Sequence, residues 1–332
     1  TTAVLIGAFV VVFYTLTGGF MAVCWTDFIQ GIMMFFAIVI VPAFAMHVMG
    51  GVETSLNAID IVNPTFFNPF MNPDGSTISF IAFISLMGWG LGYFGQPHIL
   101  VRFMAISSTS ELKRSKRIAV GWYSISMIAA VFVGMVGNVY LTEPLNGPDV
   151  EKVLLIMTEK LFDPFVGGLI LSAVLAAIMS TASSQLLVAA SAFSQDFYRS
   201  VIRQDASHTE LVWVSRAAVL IISAIAISLA MNPNSFILEM VAYAWAGFAA
   251  TFGPAVLMSL FWRRTTRNGV LAGIVVGGVT VLVWKQLALF GLYEIIPGFF
   301  FGLLAIYIVS LLDKEPSKEI TDLFDAVERS NI

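Results

Sequence analysis

The sequence predicts an all-α, polytopic membrane protein, on three observations. Hydrophobic residues make up 58% of the 332 and charged residues only 11%, against about 25% charged in an ordinary soluble domain, and the mean hydropathy is +0.88. The apolar residues fall into stretches of about 20, the length that crosses the hydrocarbon as a helix. Lys and Arg concentrate in every second connection between those stretches, as expected of a chain that crosses repeatedly.

About nine spans follow, at 3–23, 28–48, 78–101, 118–142, 164–192, 211–231, 237–262, 269–291 and 297–312. The first opens Thr1-Thr2-Ala3-Val4-Leu5, already apolar, with no initiator Met, basic leader or cleavage site; the expectation is that an N-terminal portion of a longer protein precedes it. The second follows Cys24-Trp25-Thr26-Asp27. The 49–77 connection carries Glu53, Asp60 and Asp74 among Asn and Pro residues and is expected to form an irregular cap. Arg102, Lys113, Arg114, Lys116 and Arg117 follow the third span, Arg199 and Arg203 the fifth, Arg263, Arg264 and Arg267 the seventh, and Lys314 and Lys318 the ninth. The alternate connections 49–77, 143–163, 232–236 and 292–296 contain only Lys152 and Lys160. The positive-inside rule then places the chain start outside and the C-terminus in the cytoplasm. The expected domains are a transmembrane transporter domain at 1–313 and a cytoplasmic tail at 314–332. In the tail, Leu323, Phe324 and Val327 share helical spacing, which predicts a short surface helix.

The third span is the unusual one. Gly88, Gly90, Gly92 and Gly95 precede Pro97; each glycine weakens a helix by roughly 1 kcal/mol relative to alanine, and proline removes a donor. A break at membrane depth is tolerated only against protein or a water-filled cavity, and discontinuous helices mark many transporter sites. Kinked structural helices use the same residues. Trp89 and Tyr93, four residues apart, are expected to share a face, with Pro97 a turn further on. Such a face suits a small zwitterion, its ammonium on the aromatic rings and its carboxylate on free backbone donors; interhelical packing is the alternative role. Gly90 to Gly95 also fits G-x-G-x-x-G, but that fingerprint needs a preceding strand and a helix opening at its last glycine, and here Gln96-Pro97 follows.

In the fifth span, Ala177, Ser180 and Thr181 lie at i, i+3 and i+4, so that a carbonyl and two hydroxyls point the same way. Na⁺, as a hard cation, prefers oxygen ligands, and neutral oxygens would bind it without trapping it. Small and hydroxylated residues also mediate tight helix packing. Asp27 is the only carboxylate near the first two spans; it suits the N-cap of the second helix or an ion path at the membrane edge. The seventh span carries Ala242-Tyr243-Ala244-Trp245-Ala246-Gly247-Phe248 and a second Gly-Pro break at Gly253-Pro254, either packing against a neighbour or lining a gate. One cysteine, Cys24, excludes a disulfide framework, and the three dispersed histidines have no metal-ligand spacing. No nucleic-acid partner is expected.

Four motifs together resemble the proline-transporting members of the sodium:solute symporter family. They are Gly88-Trp-Gly-Leu-Gly-Tyr-Phe-Gly-Gln-Pro-His-Ile-Leu, Met179-Ser-Thr with Gln185-Leu-Leu-Val, Tyr243-Ala-Trp-Ala-Gly-Phe, and Tyr293-Glu-Ile-Ile-Pro-Gly-Phe. The resemblance implies a LeuT-type inverted-repeat fold, present in part as core helices four to ten plus two C-terminal helices. It implies sodium-coupled symport of L-proline across a bacterial inner membrane, with no chemical reaction and no cofactor beyond Na⁺ as the coupling ion. It also implies that Trp89, Tyr93 and Pro97 face substrate, that Ala177, Ser180 and Thr181 hold sodium, and that Asp27 lies on the sodium path. Ser184 and Ala189 stand where enterobacterial members have cysteines. The first three core helices, which complete both sites in the family, have no counterpart in these residues, so the 332 residues alone are not expected to accumulate proline. Symport of another small carboxylate such as pantothenate, and a membrane sensor module of the same fold, are the alternatives.

Overall fold

The computed structural model describes residues 2–230 and 237–329. The expected 232–236 connection and the ends of the two expected domains at residues 1 and 332 lie outside the described residues. Among the described residues the structure is helical, with one isolated bridge between Met71 and Thr77. Of the helices among the described residues, seven are long and apolar enough to cross a membrane. The chain divides into two compact units, Thr1–Pro69 with Ser115–Asn234, and Phe70–Arg114 with Ser235–Ile332.

In the first unit, α1 (Thr2–Val48) covers both of the first two expected spans. At 47 residues a straight helix would run about 70 Å, against a hydrocarbon thickness of about 30 Å. Gly19 interrupts it at φ 59°, ψ −159°, a left-handed conformation open to glycine and strained for other residues. The interruption therefore falls at Gly19 and not at Cys24–Asp27, which is helical. Asp27 accordingly caps no helix, a correction to the N-cap expectation. The expected irregular cap contains a helix, α2 (Val52–Val62), because Ser55 and Ile59, one turn apart, are both fully buried.

The part of α5 (Thr109–Tyr140) from Ser115 onward, in the first unit, and α6 (Val153–Leu161) lead to α7 (Pro164–Ser191). The start of α7 follows from local chemistry: Asp163 accepts from the Phe165 and Val166 N–H groups, and Pro164 occupies the first turn, where no donor is needed. A π-helical segment, Ala192–Ile202, extends α7 before α8 (His208–Ala230). The core sets Ala37, Val41 and Ala45 of α1 and Ile170 and Ala173 of α7 together with Val133, Val136 and Met157.

In the second unit the third expected span resolves into three pieces. These are α3 (Phe80–Gly88), a 3₁₀ turn (Trp89–Phe94) and α4 (Pro97–Met104). Three longer helices follow: α9 (Ile237–Phe261), α10 (Arg267–Leu287) and α11 (Ile295–Leu312). The expected break at Gly253-Pro254 does not form, and α9 is continuous through Pro254. Proline cannot donate to the carbonyl four residues back, which here is Ala250. A Cβ on Gly277 of α10 would overlap that oxygen, and one on Gly302 of α11 would lie 3.1 Å from it. Two glycine backbones thus close on the carbonyl that Pro254 leaves without its helical donor, the approach that small residues permit between membrane helices. The last helix, α12 (Lys318–Arg329), is tied to the end of α9 by Arg263, whose Nε and Nη2 donate to Asp325 at 2.7 and 3.0 Å.

Candidate functional site

The candidate substrate residues lie where the second unit's broken helix is deliberately irregular. Gln96 is extended (φ −84°, ψ 110°) and Pro97 opens α4, as the restriction on residues preceding proline requires. The turn before it is 3₁₀, with three residues per turn. Trp89 and Tyr93 therefore point about 120° apart and do not share a face by helical spacing, as had been expected. Trp245 of α9 brings them together. Its ring stacks on Trp89 with centroids 5.4 Å apart and planes at 15°, and meets Tyr93 edge-on at 5.0 Å and 84°. Both are favourable aromatic geometries.

The backbone of the break is also engaged by α9. Trp245 Nε1 donates to the Trp89 carbonyl at 3.0 Å, and the buried Gln96 donates through Nε2 to the Trp245 carbonyl at 3.3 Å. A Cβ on Gly92 would overlap the Trp245 indole, and one on Gly95 would overlap the Phe248 carbonyl. These two glycines thus admit α9 as well as weaken the helix. Tyr293, just before α11, ties α3 and α9 to this end of α11: its N–H donates to Ser85 Oγ of α3 at 3.1 Å and its hydroxyl to the Ala242 carbonyl of α9 at 2.6 Å. Burial, reinforced by Glu294, raises the Tyr293 phenol above its ordinary pKa.

The candidate sodium residues belong to the first unit. Ala177 and Ser180 are half-buried and Thr181 is exposed. Thr181 Oγ1 donates to the Ala177 carbonyl at 3.3 Å, so two of the three expected oxygens already touch. The Ser180 carbonyl accepts from Ser183 Oγ at 3.1 Å. Asp27 is not brought to Ser180 or Thr181 by any resolved hydrogen bond; its Oδ2 accepts from Ser184 Oγ at 3.2 Å, with Ser184 buried. One turn away, the Tyr14 hydroxyl donates to the Met179 carbonyl at 2.9 Å. Ser184 and Tyr14 were not anticipated as partners of this region. The available signal was weak: hydroxyls in an apolar helix need partners, but nothing local says which.

The sodium:solute symporter family model matches residues 1–277. The high-affinity proline transporter PutP of Bacillus subtilis is 48% identical over 318 residues, covering 95% of this chain and 66% of the relative. The sodium/proline symporter of Escherichia coli is 46% identical over 328 residues, covering 97% of this chain and 64% of the relative. This chain thus spans somewhat less than two thirds of the length of these curated relatives. A solved structure of a Na⁺-coupled sialic acid symporter in a substrate-bound outward-open state matches with a TM-score of 0.75 at 20% identity, over 95% of this chain and 67% of that one. The polytopic, all-α, LeuT-type fold expected from the motifs is the fold of that match.

Proposed function

This chain belongs to the sodium:solute symporter family, and from that premise we propose that it forms part of a transporter for sodium-coupled symport of L-proline. The observation that carries the proposal is the near-half identity, along almost the whole chain, to proteins named for proline transport. The membrane is a bacterial inner membrane, with the C-terminus and the 314–332 tail in the cytoplasm and residues 1–313 forming the transmembrane domain; the distribution of Lys and Arg supports this orientation.

Trp89, Tyr93 and Pro97 contribute one wall of the proline site. In its favour, Trp89 is only half-buried and Tyr93 is exposed despite their contact with Trp245. Their rings offer π faces to a secondary ammonium. Ala177, Ser180 and Thr181 contribute oxygens to sodium, which is cargo and coupling ion together, and the converging Thr181 hydroxyl and Ala177 carbonyl suit a hard monovalent cation. Asp27 lies on the sodium path, its carboxylate oriented by Ser184. No bond is made or broken. Transport follows from unequal affinities of the outward and inward states for the two solutes.

The test is equilibrium proline binding with and without sodium, on the 332 residues and on the chain extended to the length of its relatives. Sodium should tighten proline binding in the extended protein, and the 332 residues alone should accumulate none in vesicles. Absence of a sodium effect on proline affinity, or tighter binding of another carboxylate such as pantothenate, would sink the proposal.

A further inference from the structure

We propose that Trp245 is a positioning residue for proline recognition, holding Trp89 and Tyr93 in the orientation that meets substrate; the inference rests on the functional assignment of those two residues above. Five contacts converge on this one side chain and its backbone. Its indole N–H donates to the Trp89 carbonyl at 3.0 Å. Its ring face covers that of Trp89, and Tyr93 abuts it edge-on. Its own carbonyl accepts from the amide of Gln96, a side chain that is only 3% exposed. Gly92, between the two site aromatics, lacks a Cβ where one would collide with the indole.

These contacts answer a specific physical need. A 3₁₀ turn has poorer hydrogen-bond geometry than an α-helix and is rarely stable over many residues. Left to itself, the segment from Trp89 to Phe94 would rotate its rings as it relaxed. Trp245 ties the first residue of the turn by a hydrogen bond and a stack, and Gln96, the residue before Pro97, ties its end back to α9. Both aromatic rings then have one surface fixed by protein, leaving the remaining surface for ligand. A site built from preoriented rings loses less freedom on binding than one whose rings must first be ordered.

The experiment compares wild type, Trp245→Phe, Trp89→Ala and the double variant in the full-length protein reconstituted in vesicles. Trp245→Phe retains an aromatic ring and removes the indole donor. It should weaken proline binding by about tenfold, the equivalent of one buried hydrogen bond. In the Trp89→Ala background the same change should cost markedly less, because the ring it orients is gone. Unchanged affinity in Trp245→Phe, or losses that multiply fully in the double variant, would overturn the proposal. Gly92→Ala provides a second route should Trp245→Phe be poorly expressed: it leaves residue 245 a tryptophan but displaces its indole, and should also raise the proline KM more than it lowers the maximal rate. A wild-type protein that binds no proline would instead reject the functional assignment, which separates the two failures.

Discussion

Gly277→Ala should destabilise the second unit, whereas the same substitution one residue later should not. A methyl at 277 would overlap the Ala250 carbonyl oxygen, with the Gly298 carbonyl 3.4 Å away. The Ala250 obstacle is backbone, so no rotamer change relieves it and α9 and α10 must separate. Overpacking of this kind typically costs about 1–3 kcal/mol. The separation also withdraws the Gly277 backbone from the carbonyl that Pro254 cannot serve, adding up to about 1 kcal/mol if a Cα–H···O contact is lost. Against this, alanine is favoured over glycine in a helix by roughly 1 kcal/mol, so the expected net loss is about 0–3 kcal/mol. Gly278→Ala gains the same propensity and meets only the Thr251 hydroxyl at 3.3 Å, a side-chain atom hydrogen-bonded to the Gly247 carbonyl at 2.6 Å that has to shift by only a few tenths of an ångström. Thermal unfolding in detergent, scored by loss of monodisperse protein, should place Gly277→Ala below wild type and Gly278→Ala at or above it. Equal stability of the two variants would refute the close approach of α9 and α10 at this level.

Three further outcomes are expected. Thr181→Ala should raise the sodium concentration for half-maximal proline uptake in the full-length protein; an unchanged sodium dependence would return Thr181 and Ser180 to helix packing. Trp89→Ala should weaken proline affinity more than it reduces the amount of folded protein, and a parallel fall in both would mean the ring is structural. The Arg263 guanidinium holds the Asp325 carboxyl below its ordinary range, so Asp325 binds its proton less readily when α12 is docked than when it is free. The stabilisation this lends to α12 is therefore complete above about pH 4 and lost as the pH falls through the lowered value. Amide exchange in α12, corrected for intrinsic pH dependence, should be flat near neutrality and rise only in acid, and Asp325→Asn should remove the acid step.

Much of this architecture was legible in the sequence because its causes are local. Apolar length marks a span wherever it occurs, and the glycines before Pro97 disrupt a helix whatever surrounds them. The start of α7 at Asp163-Pro164 is likewise a matter of adjacent residues. The departures come from which of several local signals the backbone follows and from contacts distant in the chain. Asp27 has an N-cap's identity and a polar neighbourhood, yet the chain turns at Gly19 and the carboxylate pairs with Ser184, 157 residues away. Trp89 and Tyr93 have the spacing of an α-helical face, but the local period is three and a ring on α9 supplies what the spacing does not.

The two proline-bearing stretches of the second unit show why a breaking residue does not by itself define a site. At Pro97 the preceding glycines and the extended Gln96 end the helix, and the Trp89 carbonyl in the turn before it is taken up by Trp245. At Pro254 the helix runs on, because Gly277 and Gly302 let two neighbouring backbones reach the carbonyl that lost its donor. In both places a backbone carbonyl of the segment is approached from another helix, by a side-chain donor in the first case and by glycine backbone in the second. The difference lies in what remains accessible afterwards. Glycine contacts seal α9 against α10 and α11, whereas the indole contact leaves Tyr93 exposed and Trp89 half-buried. Of the two, only the break before Pro97 can both hold its shape and present a surface to a ligand.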